Sequence, residues 1–216
     1  MPTPPRRVAV PGRRLLVGLL VVFLAAVVPA VVVPTLMCRR PDPVLDVLGD
    51  AGTFSLLDER GEPFTQAAFA GNVTIVSFIF TRCDTICPVT TMKMAVLQDK
   101  TFDARAHIKL ASFSVDPAYD TPARLTEYAQ RYKADPARWR FVTGPVEPMR
   151  KLVEGAFMNS MIREQDAPSG APQIAHSGHF LLVDSRGRIR GAYDSNDIQK
   201  LDEMIRDARY LVRTGR

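Results

Sequence analysis

The sequence predicts an α/β domain, built as a mixed central sheet with helices on both faces and preceded by an N-terminal transmembrane helix. Three observations predict it. Strand-like and helix-like stretches alternate from Val73 to Phe157 before a hairpin and a last helix, an order that implies a sheet parallel in its first half and antiparallel in its last. Val73 to Phe80, V-T-I-V-S-F-I-F, is a nearly unbroken β-branched and aromatic run, as a strand buried on both faces requires. Leu15 to Cys38 is an uncharged run of 24 residues with arginines on either side.

The N-terminal part divides into a basic segment over 1–14, an anchor over 15–38 and a linker over 39–52. At about 1.5 Å per residue the anchor crosses roughly 30 Å of hydrocarbon as a helix, with Pro29 and Pro34 bending or ending it. A cleaved signal peptide fits less well, because the apolar core is long and no small-x-small pattern closes it. Met37, a large residue before Cys38, argues against a lipid-bearing cysteine and leaves Cys38 unassigned. Arg6, Arg7, Arg13 and Arg14 lie before the run and only Arg39 and Arg40 just after it, which orients the N-terminus inward and the domain to the extracytoplasmic side. Pro41, Pro43 and Gly52 mark the linker.

The domain occupies 53–216. Phe54 to Phe64 reads as a hairpin about Glu59-Arg60-Gly61, followed by the Val73–Phe80 strand. A helix from Pro88 to about Lys100 follows, with Val89, Met92, Ala95 and Val96 predicted on its inward face and Met94 pointing elsewhere. Ile108 to Val115 is a second strand; Thr121 caps a helix that has Pro122 in its first turn and runs to about Lys133. Trp139 to Val142 is a short strand and Val146 to Phe157 a helix, with Met158 and Met161 filling the core beyond it. Phe180 to Val183 and Ile189 to Tyr193 form a hairpin about Ser185-Arg186-Gly187, and Asp197 to Arg213 closes the chain as a helix with Leu201, Met204, Ile205 and Ala208 inward.

The net charge of +5 suggests nucleic acid until it is divided. Six arginines and no acid precede residue 41, so 28 basic residues less these six leave 22 against 23 acidic ones. The basicity belongs to the anchor, and no basic cluster with interleaved aromatics occurs beyond it, which excludes nucleic acid as the expected partner.

Cys83 and Cys87 leave a buried strand and enter a helix, where backbone amides and the helix dipole favour thiolate, the nucleophilic and metal-binding form of sulfur. Their spacing separates two uses. Cys-x-x-Cys is usual for dithiol oxidoreductases, whereas Cys-x-x-x-Cys sets the residues about one turn of 3.6 apart with both sulfurs able to face one point. A disulfide is still within reach of this spacing. Of three histidines, His107 precedes the second strand, far from the cysteine loop, while His176 and His179 lie at the start of the last hairpin, beside the helix entry. Either can complete a three-coordinate S,S,N site. Two thiolates and an imidazole suit copper, as Cu(I) or Cu(II), better than structural zinc, which wants four protein ligands.

The chain resembles the Sco/SenC family of copper-binding assembly proteins for cytochrome c oxidase. The resemblance is carried by Phe80-Thr81-Arg82-Cys83-Asp84-Thr85-Ile86-Cys87-Pro88, by Ser114-Val115-Asp116-Pro117-Ala118-Tyr119-Asp120-Thr121-Pro122, and by His176-Ser177 leading to Leu182-Val183-Asp184-Ser185-Arg186-Gly187. It implies a thioredoxin-like fold, copper held by Cys83, Cys87 and His176, and delivery toward the binuclear copper centre of oxidase subunit II or maintenance of that subunit's thiols in the reduced state. The histidine at position 179 departs from the pattern as an alternative ligand. Asp116 and Asp120 are implied to border the site or its docking surface.

Two other functions follow from the same residues. In a membrane-anchored thiol-disulfide oxidoreductase, Cys83 attacks a substrate disulfide and Cys87 resolves the mixed disulfide. Peroxide reduction fits less well, because Thr81 and Arg82 do not reproduce the Thr-x-x-Cys spacing of that chemistry.

Overall fold

The computed structural model describes residues 17, 18, 20–28, 30, 42–83, 86–159, 161–163, 174, 175 and 178–215. The chain forms two units, Met1–Asp42 and Pro43–Arg216. In the first, residues 17, 18, 20–28 and 30 are helical, and the rest of the predicted anchor lies outside the described residues. Among the described residues no helix is long and apolar enough to cross a membrane.

The second unit is built on one sheet of eight strands: β1 (Gly49–Asp50), β2 (Ser55–Asp58), β3 (Pro63–Thr65), β4 (Val73–Ile79), β5 (Ile108–Ser114), β6 (Trp139–Thr143), β9 (His179–Val183) and β10 (Arg188–Asp194), with β7 (Ile162–Arg163) and β8 (Ile174–Ala175) paired separately. The spatial order is β1-β10-β9-β4-β5-β6-β2-β3. β4, β5 and β6 run parallel, with Ile75 opposite Leu110 and Leu110 opposite Trp139, and the pairs outside them are antiparallel. The mixed sheet is the one expected, with two additions. The first hairpin docks on the outer edge of β6, and the end of the segment read as a linker supplies β1, where Arg190 also donates to the carbonyls of Leu45 and Asp46.

β4 is buried at every position, as its composition requires. The helices are α1 (Ile86–Lys100), α2 (Pro122–Arg131), α3 (Val146–Arg150) and α4 (Ile198–Thr214). On one face of the sheet Ser112 Oγ meets Ser77 Oγ at 2.8 Å and accepts from Trp139 Nε1 at 2.9 Å. There Tyr128 of α2 packs edge-on against Phe141 and meets Thr91 of α1 at 2.8 Å, while α4 lies beside α1 through the Lys100–Asp202 pair. On the opposite face Phe113 gathers Phe54, Phe64 and Phe157.

Local signals hold where they are strong. Thr121 accepts from Arg124 N above Pro122, and Asp197 accepts from Gln199 N and Lys200 N to open α4, which buries Met204, Ile205, Ala208 and Leu211. Gly187 turns the β9–β10 hairpin at φ 80°, a conformation natural to glycine, while Asp184 accepts from Arg186 N and Arg188 N.

Three expectations are corrected. α1 buries Cys87, Thr90, Thr91, Met94 and Leu97 and exposes Val89, Met92 and Val96, so Met94 is a core residue and Met92, 62 % exposed, is not. Apolar residues ring this helix, so periodicity does not set its rotation; the burial of Cys87 at its first turn does. The helix predicted over Val146–Phe157 is α-helical only to Arg150 and widens to a π turn over Lys151–Ala156, where Phe157 N donates to Leu152 O. The wider turn brings Leu152, Val153 and Phe157 into the core together. Met158 is exposed at φ 50° instead of filling the core, because the chain reverses there.

Candidate metal centre

β4 leaves the sheet at Ile79, and Cys83 follows in a turn closed by its own N–H on Phe80 O at 3.2 Å. Cys87 stands in the first turn of α1 with no exposed surface, and Cys83 is nearly as buried. Both are in the reduced, thiol form. The Cys87 N–H donates to Cys83 Sγ at 3.4 Å, so the amide end of the helix is aimed at that sulfur. The Cys87 thiol is pushed well above the ordinary range, first by its hydrogen bond to Cys83 and then by burial. The helix amide therefore serves Cys83, while at Cys87 the main-chain hydrogen bond of Phe80 is outweighed by Cys83 and burial, so Cys87 keeps its proton until a metal displaces it or a disulfide forms. Sequence reasoning assigned the same amide stabilisation to both.

The carbonyl of Cys87 accepts from Thr91 Oγ1, whose oxygen also meets Tyr128 Oη, which fixes the start of α1 against α2. Burial pushes the Tyr128 hydroxyl up, leaving it a neutral hydrogen-bonding group.

Two carboxylates grip the residues that lead into Cys83. Asp120 accepts from Thr81 N at 3.2 Å, from Thr81 Oγ1 at 2.5 Å and from Ser114 Oγ at 2.6 Å, with no exposed surface of its own. Burial raises its carboxyl, against the lowering effect of these donors. Asp116 binds Arg82 Nε at 2.6 Å and holds that guanidinium above its usual value. The Arg82 guanidinium lies 4.3 Å over the Tyr119 ring and that of Arg124 lies 3.9 Å from it. Asp120 is thus an internal support and not a docking residue. The Asp-Pro-x-x-Asp-Thr stretch from Asp116 to Thr121 flags it in sequence, but nothing there shows that it reaches back to Thr81.

β9 runs antiparallel to β4, with Val76 opposite Leu181, so the chain enters β9 at the end of the sheet where β4 leaves toward Cys83. His179, exposed, is the first residue of β9 and lies opposite Asp194. His176 lies outside the described residues. His107 sits at the far end of β4, where its carbonyl accepts from Val73 N, as its place just before the second strand predicts. Among the described residues no three His, Cys, Asp or Glu side chains converge as a metal site.

The fold and the dithiol loop coincide with a known pattern: the SCO1/SenC family profile matches residues 49–213. The chain belongs to the SCO1/SenC family. A SCO1 protein homolog of Bacillus subtilis is 30 % identical over 156 residues, 72 % of this chain and 79 % of that one. Among solved structures, BsSco, described as a member of the Sco family of cytochrome c oxidase assembly proteins with a disulfide switch, is 28 % identical with a TM-score of 0.66 over 79 % of this chain and 98 % of that one. Copper-bound ScoI of Arabidopsis thaliana is 26 % identical with a TM-score of 0.65 over 75 % and 98 %. The thioredoxin-like fold of Sco proteins is therefore the fold of this chain, and its dithiol loop lies within the matched residues.

Proposed function

We propose that this SCO1/SenC protein is a copper metallochaperone that binds one copper ion through Cys83, Cys87 and His176, and supplies it to the binuclear copper site of cytochrome c oxidase subunit II or keeps the thiols of that site reduced. The observation that carries the reading is the pair itself: two reduced, buried sulfurs one helical turn apart, the first accepting an amide and the second holding a proton that a soft metal can displace. His176 is the third ligand because it begins the His-Ser motif and precedes β9, the strand that starts at the cysteine end of the sheet. Copper-bound ScoI and the oxidase-assembly description of BsSco support the cargo and the recipient. A three-ligand site suits transfer, since a partner's ligand can enter before one of these leaves. Residues 15–38 serve as the membrane anchor, with the copper domain on the extracytoplasmic side.

A second reading, a membrane-anchored thiol-disulfide oxidoreductase, is favoured by the reduced state of the dithiol and the disulfide switch described for BsSco. There the Cys83 thiolate attacks a substrate disulfide and expels one substrate thiolate; the Cys87 thiolate then attacks Cys83, forming the protein disulfide and releasing the second.

Copper loading of the full-length chain separates the two. One copper per chain is expected, lost in Cys83→Ser and in Cys87→Ser, and held far more weakly in His176→Ala than in His179→Ala. Copper retained by both serine variants leaves the oxidoreductase. Loss in His179→Ala with retention in His176→Ala moves the third ligand to residue 179.

A further inference from the structure

We propose that Asp120 is a positioning residue that holds the Cys83–Cys87 pair in its open, dithiol arrangement by clamping Thr81 to the end of β5. A buried carboxylate normally sits against a cation, because desolvation is otherwise uncompensated. Asp120 does not follow that rule. It is completely buried, its donors among the described residues are neutral, namely Thr81 N, Thr81 Oγ1 and Ser114 Oγ, and the nearby guanidinium of Arg82 is engaged with Asp116. Such an arrangement costs stability, and its geometry shows what is gained. Thr81 lies two residues before Cys83, and Ser114 is the last residue of β5. The carbonyl of Asp120 also accepts from Thr143 Oγ1 at the end of β6, so one residue ties the dithiol loop to the ends of two parallel strands.

The clamp bears on redox state. It keeps Cys83 Sγ on the Cys87 amide, whereas a disulfide needs that sulfur at about 2.05 Å from Cys87 Sγ. Closing the bond moves the loop against the Asp120 contacts, so the clamp favours the dithiol, the form that binds metal. The proposal rests on Cys83 and Cys87 being the working groups of the site, but it needs no copper.

The test equilibrates metal-free, full-length protein with mixtures of reduced and oxidised glutathione. The protein dithiol gives two electrons and two protons to glutathione disulfide, yielding the Cys83–Cys87 disulfide and two reduced glutathione molecules, and the ratio is read by alkylation and mass spectrometry. Asp120→Ala is expected to shift the equilibrium toward the disulfide by about tenfold, about 30 mV, with Asp120→Asn restoring most of the shift because its amide oxygen still accepts from Thr81. Asp184→Asn is the control. It also removes a fully buried carboxylate, but at the opposite end of the sheet, since Val183 lies across from Thr74 at the start of β4; it is expected to lower stability without moving the potential.

An Asp120→Ala potential within about twofold of the wild-type equilibrium, or an equal shift in Asp184→Asn, overturns the proposal. If Asp120→Ala does not fold, Thr81→Val, which removes only the hydroxyl donor, is read instead; a shift toward the disulfide supports the clamp and an unchanged equilibrium overturns it. Failure of the wild-type protein to bind copper would remove the metallochaperone reading and leave this result standing.

Discussion

The main-chain N–H of Cys87 points at the sulfur of Cys83 across 3.4 Å, and this relationship makes the two thiols unequal. Cys83 receives the helix amide, while Cys87 has no exposed surface and a thiol pushed upward by Cys83 and by burial. Alkylation of the metal-free chain near neutral pH is therefore expected to modify Cys83 first, with Cys87 slower by at least about tenfold. Because the Cys87 thiol is raised, more alkaline pH speeds its modification. Equal rates at the two positions, read by peptide mass spectrometry, contradict the inequality.

The rotation of α1 gives a second prediction. Met94 is wholly buried and Met92 is 62 % exposed. Met94→Ala is expected to cost about 2–5 kcal/mol of unfolding free energy, and Met92→Ala no more than about 0.5 kcal/mol. Denaturant unfolding of the two variants checks the order; the reverse order would restore the rotation predicted from periodicity.

That reversal shows which features are legible in the sequence. β4 is plain because every position but Ser77 is apolar or β-branched, and α4 is plain because Asp197 and the Met204-Ile205-Ala208 spacing agree. α1 is apolar on both sides, Ile86, Val89 and Val96 outward and Met94 and Leu97 inward, so no period in the chain reports its rotation. The π turn over Lys151–Ala156 is a choice made by packing, because its residues alone would continue an α-helix. At the site the cysteines announce themselves by spacing. The Thr81–Asp120 contact joins residues 39 apart and depends on two parallel strands ending side by side, which only the assembled sheet provides.

Asp184 supplies a pH dependence. Burial alone would raise its carboxyl, but Arg188, the Arg186 and Arg188 amides and Arg190 together hold it below the usual 3.8. A carboxyl lowered by folding stabilises the native state above its unfolded pKa, and this contribution disappears as pH falls through the lower folded value. Acid unfolding of the wild-type chain is thus expected to steepen below about pH 4, and Asp184→Asn to flatten that limb while lowering stability at neutral pH. A variant with the wild-type acid slope would show that Asp184 does not carry it.

The most direct test of the copper site is electron paramagnetic resonance of the Cu(II)-loaded, full-length chain, with histidine carrying nitrogen-15. Coupling from a single imidazole nitrogen is expected, retained in His179→Ala and abolished in His176→Ala. Coupling that survives in His176→Ala and disappears in His179→Ala, or a spectrum with no histidine nitrogen, would contradict it.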